Sequence, residues 1–115
     1  MDEILAQLTR VRGVGGALLV SADGLTMASS LRSGIDENAL SAAIGETIGT
    51  AQRVTSSLSL GACTGFTATT DQGALLLLAT GPAFVVLLTD TGANLALVQI
   101  ESKPLVERLG ARLAL

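Results

Sequence analysis

The chain has 115 residues, 49% of them hydrophobic before its 13 glycines are counted, and only 15% charged. Ten acids against seven bases give a net charge of −3, with the basic residues scattered, which excludes the electrostatic footprint of a nucleic-acid binder. There is no histidine, tryptophan or tyrosine and only one cysteine, which excludes an internal disulfide, a multi-cysteine metal site and the usual serine or cysteine triad.

A chain of this length is expected to form one domain, residues 1–115, and a domain this apolar is expected to bury part of its surface against another chain. The first segment, "DEILAQLTRV", spaces Ile4, Leu5, Leu8 and Val11 at helical intervals, with Asp2 and Glu3 at the positive helix start. It is acidic and amphipathic, unlike a signal peptide, and points to the cytoplasm. "RGVGG" breaks the pattern. "GALLVSADGLTMASSL" then reads as two strands joined at Asp23-Gly24. Asp36 is the expected N-cap of a long helix running to about Ser59.

Three more strands follow in "TGFTATTDQGALLLLATGPAFVVLLTDTG", with turns at Asp71-Gln72-Gly73 and Gly81-Pro82. The uncharged run from Ala74 to Thr89 falls short of the roughly 18–20 residues a spanning helix needs, and Gly81-Pro82 interrupts it. A buried hairpin is expected there, with no membrane insertion. The last segment, "GANLALVQIESKPLVERLGARLAL", has a helical pattern that Pro104 should kink or split.

The fold class is therefore α+β, in the order αββαβββα. The continuously apolar strands "ALLLLA" and "AFVVLLT" belong at the centre, and the mixed "LTMASSLR" and threonine-rich "TGFTATT" at the edges. Keeping hairpins adjacent gives a five-stranded antiparallel sheet of order 2-1-5-4-3 with helices on both faces. The edge strand from Thr64 to Thr70 carries no lysine, proline or inward charge, the devices that protect free edges, so a second chain is expected to pair there; a short twisted edge is the plainer alternative.

"AAIGETIG" poses the sharpest question, because each glycine inside a helix costs roughly 0.5–1 kcal/mol relative to alanine. At about 100° per residue, Leu40, Ile44, Thr47, Ala51, Thr55 and Leu58 fall on one side and are expected to face the sheet. Ala42, Gly45, Gly49, Arg53 and Ser56 fall roughly opposite, with Gln52 at the margin. A stripe so poor in bulk lets another backbone come close. With the other two helices needed on the far face of the sheet, the expected neighbour is the same helix of a second copy across a two-fold axis. A helix that simply tolerates glycines on its solvent face would read the same.

"GALLVSADGLTMASSL", the long helix, three strands and "GANLALV" together resemble the Roadblock domain, the family of dynein light chains and of bacterial gliding-motility regulators of the MglB type. The likeness rests on Gly16 before the first strand, on the Asp23-Gly24 hairpin and on Asn94-Leu95 opening the last helix. Ala96, where a glycine is common, and Lys103-Pro104, within a helix usually continuous, depart from the pattern. The resemblance implies a profilin-like sandwich, a homodimer with a joined sheet and paired central helices, and a partner that is a Ras-like small GTPase of the MglA kind. On that reading Gly45, Ile48, Gly49, Gln52, Ser56, Thr67 and Thr69 form the dimer interface. Ala42, Glu46, Gly49, Thr50 and Arg53 form the ridge that meets the GTPase.

Catalysis has little to stand on, and no enzyme activity, cofactor or metal is expected. Cys63 has no neighbouring base, "GVGG" precedes a strand instead of linking a strand to a helix, and no glycine-lysine-serine element occurs. Asp36-Glu37 and Asp2-Glu3 suit helix starts better than a metal ion. Arg53 is the one residue placed to act in trans on a phosphate, although an ordinary solvated or ion-paired arginine is the favoured account of it. Two rivals follow: a ligand-sensing domain of the same layout, for which Phe66 and Phe84 are the only aromatic lining, and a structural subunit pairing with a different Roadblock chain.

Overall fold

A computed structural model describes residues 1–114. In chain order the elements are α1 (Asp2–Leu8), β1 (Val14–Ser21), β2 (Thr26–Ser30), α2 (Glu37–Ser57), β3 (Gly65–Thr70), β4 (Gly73–Thr80), β5 (Ala83–Thr89) and α3 (Leu95–Leu113). The strands form one antiparallel sheet of order β2-β1-β5-β4-β3. The expected architecture and strand order are those observed.

Strand alternation sends side chains to two separate cores. Ala17, Leu19, Leu76, Val85 and Leu87 point to the face covered by α1 and α3, where they meet Ile4, Leu5, Leu8, Val98, Val106 and Leu109. Leu18, Val20, Leu77 and Val86 point to the face of α2, where they meet Ile44 and Ile48. Full burial of each such side chain contributes about 1.5–3 kcal/mol, so the two cores hold the sandwich together.

Both long helices begin as their sequences specify. The Asp36 carboxylate accepts from the Ala39 N–H at 3.1 Å, and the Asn94 side-chain oxygen accepts from the Leu97 N–H at 3.1 Å. Each satisfies one of the donors that a helix start leaves unpaired.

Pro104 does not split the last helix, which runs unbroken from Leu95 to Leu113. Its ring sits on the exposed side, and the residue whose carbonyl loses a donor, Ile100, is itself 69% exposed, so water can serve there. Beyond it, the helix is secured by burial of Val106 and Leu109 and by the Thr80 hydroxyl, which donates to the Val106 carbonyl at 2.6 Å.

Candidate functional site

The sheet has two edges, and they are built differently. At β2 the register slips between Leu19 and Val20, which pair with Ala28 and Thr26, leaving Met27 as an extra residue in a five-residue strand. A short, bulged strand is a poor template for another chain. At β3 all six residues pair with β4 in unbroken register, from Gly65 opposite Leu78 to Thr70 opposite Gly73. Among the described residues nothing pairs with its other edge, and no residue in the strand blocks pairing.

Between β3 and α2 lies an open groove of about 570 Å³, with Thr47, Thr50, Ala51 and Val54 on the helix wall and Cys63 and Phe66 on the strand side. Phe66 pairs with Leu77, whose side chain belongs to the α2 core, so the aromatic ring stands on the same face as the helix. Val54 is 52% exposed and Phe66 38% exposed, and Leu58 and Leu60 stand just beyond the end of the helix in water. The groove and the free edge are thus one continuous surface, apolar along its helix wall and hydrogen-bonding along its strand.

The residues singled out from sequence divide sharply. Ile48 is only 7% exposed and fills the core beneath α2, so its side chain is not available to another chain. Gly45 has an internal neighbour. A methyl group there would come within 2.7 Å of the Gly24 Cα, because the turn between β1 and β2 lies directly against the helix. Gly24 itself has φ +90, a conformation glycine adopts without strain, and the pair of glycines lets turn and helix touch backbone to backbone. The close approach inferred from the sequence exists within the chain itself, and the hairpin makes it.

Gln52 is likewise engaged within its own chain. Its side-chain oxygen accepts from the Cys63 N–H at 3.0 Å, and its amide nitrogen donates to the Ser56 hydroxyl at 3.0 Å and to the Gly61 carbonyl at 3.4 Å. Ser56 is exposed. At Gly49 the surroundings are open, the nearest atom to an added methyl being the Arg53 guanidinium at 3.6 Å. Thr67 and Thr69 lie on the free edge strand, opposite Leu76 and Ala74; Leu76 belongs to the α1/α3 core, so both threonines point to that face. What they offer on the α2 side of the edge is backbone.

Ala42, Glu46, Thr50 and Arg53 are all exposed on α2 and Gly49 is half-buried beside them; Glu46 and Thr50 also line the groove, whereas Ala42, Gly49 and Arg53 stand outside it. The Arg53 guanidinium donates to the Thr50 hydroxyl at 3.1 Å and so lies along its own helix. Cys63 is half-buried, with its thiol 3.4 Å from the Gly65 carbonyl. Among the described residues no three His, Cys, Asp or Glu side chains gather as a metal ion would require, and no helix is long and apolar enough to cross a membrane.

Leu58 marks the limit of the helical-wheel reading. It was expected to face the sheet, yet it is 63% exposed, because the helix ends at Ser57 and the chain reverses at Ser59. The sequence reading divides the groove wall for a related reason: it gives Thr47 to the sheet, Thr50 to the GTPase ridge, and Val54 to neither. A wheel shows which residues share a flank, and only the position of β3 decides which flank faces it. The one signal in the sequence is Val54, an apolar residue at the margin of the sheet-facing stripe, four residues before Leu58.

Comparison with known proteins agrees with this fold. The uncharacterized protein MJ0714 of Methanocaldococcus jannaschii is 31% identical over 111 residues, covering 96% of this chain and 94% of that protein. The structure of Myxococcus xanthus MglB superposes with a TM-score of 0.93 at 16% identity, covering 98% of this chain and 94% of the other. A Roadblock/LC7 domain from Streptomyces avermitilis gives 0.90 at 19% identity, covering 100% and 98%. Residues 1–89, from the first helix to the end of the last strand, match the Roadblock/LC7 domain family, and it is to this family that the chain belongs.

Proposed function

We propose that the chain acts as a homodimeric Roadblock-type regulator or scaffold that binds a Ras-like small GTPase and adjusts its nucleotide cycle or its position. The observation that carries this reading is the unpaired β3 edge running beside the apolar α2 groove. Strand pairing satisfies backbone groups and burial of Val54, Leu58 and Phe66 removes apolar area from water, so one two-fold contact answers both needs. In that dimer the seam runs along Thr47, Thr50, Ala51, Val54 and the β3 edge. The outer side of the paired helices, with Ala42, Gly49 and Arg53, stays free to receive the GTPase, and Glu46 stands at the rim of the seam.

Family membership and the MglB-like fold support a regulatory or scaffolding role. The ligand-sensing alternative asks for an enclosed, aromatic-lined pocket, and the groove is instead an open surface cleft with one aromatic residue.

The test is a binding measurement with a Ras-like GTPase of the source organism, loaded in turn with GDP and with a non-hydrolysable GTP analogue. Binding that depends on the nucleotide, with a two-to-one ratio of this chain to GTPase, is the expected result. Hydrolysis and nucleotide-release rates in the same mixtures then separate an activator or exchange factor from a passive platform. Failure to bind in both nucleotide states would sink the GTPase reading.

A further inference from the structure

We infer that Gln52 is the positioning residue of the self-pairing surface, a clip that sets the gap between α2 and β3. The inference rests on the homodimer reading above, in which a second copy must meet the helix and the strand at once.

The chain between these two elements has little else to place it. Residues 58–62 and Thr64 are exposed, and no buried side chain anchors the connection. The helix ends in a tight reversal in which the Ser59 N–H donates to the Ser56 carbonyl at 3.1 Å and the Leu60 N–H to the Thr55 carbonyl at 2.9 Å. Ser59 takes φ 58 there, a left-handed conformation usually given to glycine at this point of a helix end. Downstream, β3 is held by β4 on one side only, a pairing that the Ala79 N–H extends back to the Thr64 carbonyl at 2.9 Å; neither contact reaches α2.

Gln52 supplies the missing tie. It is half-buried on α2, and its amide grips the connection at both Gly61 and Cys63, while the Ser56 hydroxyl orients it. The acceptor and the donor group of the amide are both in use, which fixes the side chain in one orientation. Cys63 stands two residues before the first residue of β3. The clip therefore joins the helix wall of the groove to the root of its strand wall. A surface made of two elements binds more tightly when their spacing is fixed beforehand, because less freedom is lost on association.

The experiment compares the full chain with Gln52→Met, which keeps length and removes every hydrogen bond of the clip. Sedimentation velocity over a dilution series gives the self-association constant, and hydrogen exchange reports the Cys63 amide. The expected result is a dissociation constant raised roughly tenfold, the usual scale for losing a hydrogen-bonded tie, with faster exchange at Cys63. Adding Ser59→Gly, which relieves the left-handed strain in the same connection, should recover part of the affinity. Ser56→Ala provides a milder version that keeps the amide but frees its orientation; a rise of about two- to threefold is expected from it.

A dimeric wild type whose affinity is unmoved by Gln52→Met and Ser56→Ala overturns the inference and leaves the homodimer standing. A thermal midpoint that falls while the association constant stays put has the same meaning. A wild type that is monomeric at every concentration overturns the homodimer and the inference together.

Discussion

The two faces of the sheet are covered unequally. On one, α1 and α3 together cover a large core of buried residues reaching from Ile4 to Leu109, with Val11, Leu78, Leu105 and Leu113 partly buried at its margin. On the other, α2 alone covers Leu18, Val20, Leu77 and Val86, while Leu31, Leu40, Leu75, Phe84 and Leu88 are only partly buried around it. One helix cannot cover a five-stranded sheet, whose neighbouring strands lie about 4.8 Å apart against a helix diameter of about 10–12 Å. Val54, Leu58, Leu60 and Phe66 add exposed apolar surface on the α2 side, beside the free edge, while Leu97 and Ile100 stand exposed on the outer side of α3. A domain can be complete on one face and await a neighbour on the other.

The largest expected effect lies on the face of α1 and α3. Leu87→Ala, at a site with no exposure, should cost about 2–5 kcal/mol in denaturant unfolding. That loss should be independent of protein concentration wherever the chain is monomeric. A cost that grew with dilution would mean that this core also depends on a second chain, and the contrast between the faces would fail.

Gly45→Leu comes next. The new side chain would meet the Gly24 backbone, which cannot move aside as a flexible side-chain end could. A loss of about 1–3 kcal/mol is expected from such overpacking. Unfolding measured under monomeric conditions checks it. An effect on self-association alone, with the fold unchanged, would return Gly45 to the interface where the sequence reading placed it.

Val54→Asp sharpens the comparison from the open side. At an exposed position the fold should change by no more than about 0.5 kcal/mol. A charge placed in the proposed seam should nevertheless abolish dimer formation in a light-scattering titration. Loss of folding in step with loss of the dimer would show instead that α2 is not stable without its twin.

Much of this architecture was legible in the sequence, and for identifiable reasons. Alternation and continuous apolar runs distinguish edge from central strands, Asp36 and Asn94 announce helix starts chemically, and Asp23-Gly24 marks its turn. These are local signals, each resolved within a few residues. The site was harder because its assignments depend on contacts distant in sequence. Gly45 signals a close approach without naming the approaching chain, and Gly24 lies about twenty residues earlier. Gln52 reads as a surface amide until Cys63 is seen folded back to meet it. Ile48 belongs to the core because the stripe that meets the sheet is centred between Ile44 and Ile48, a rotation of the wheel that propensity cannot specify.

The smallest effect is expected at the second glycine of the pair, and its sign is informative. Gly49 has no turn against it, and an added methyl would meet only the mobile end of Arg53 at ordinary contact distance. Gly49→Ala should therefore stabilise the helix by about 0.5–1 kcal/mol, the ordinary gain on replacing glycine inside a helix. It should leave the dimer intact, since Gly49 lies outside the α2 wall of Thr47, Thr50, Ala51 and Val54. Unfolding and sedimentation measured on the same sample test both halves. If the fold gains stability while GTPase binding weakens, the missing side chain at Gly49 is a requirement of the partner and not of the fold. If the dimer loosens instead, the twin helix approaches from the flank opposite the groove, and the proposed seam is on the wrong side of α2.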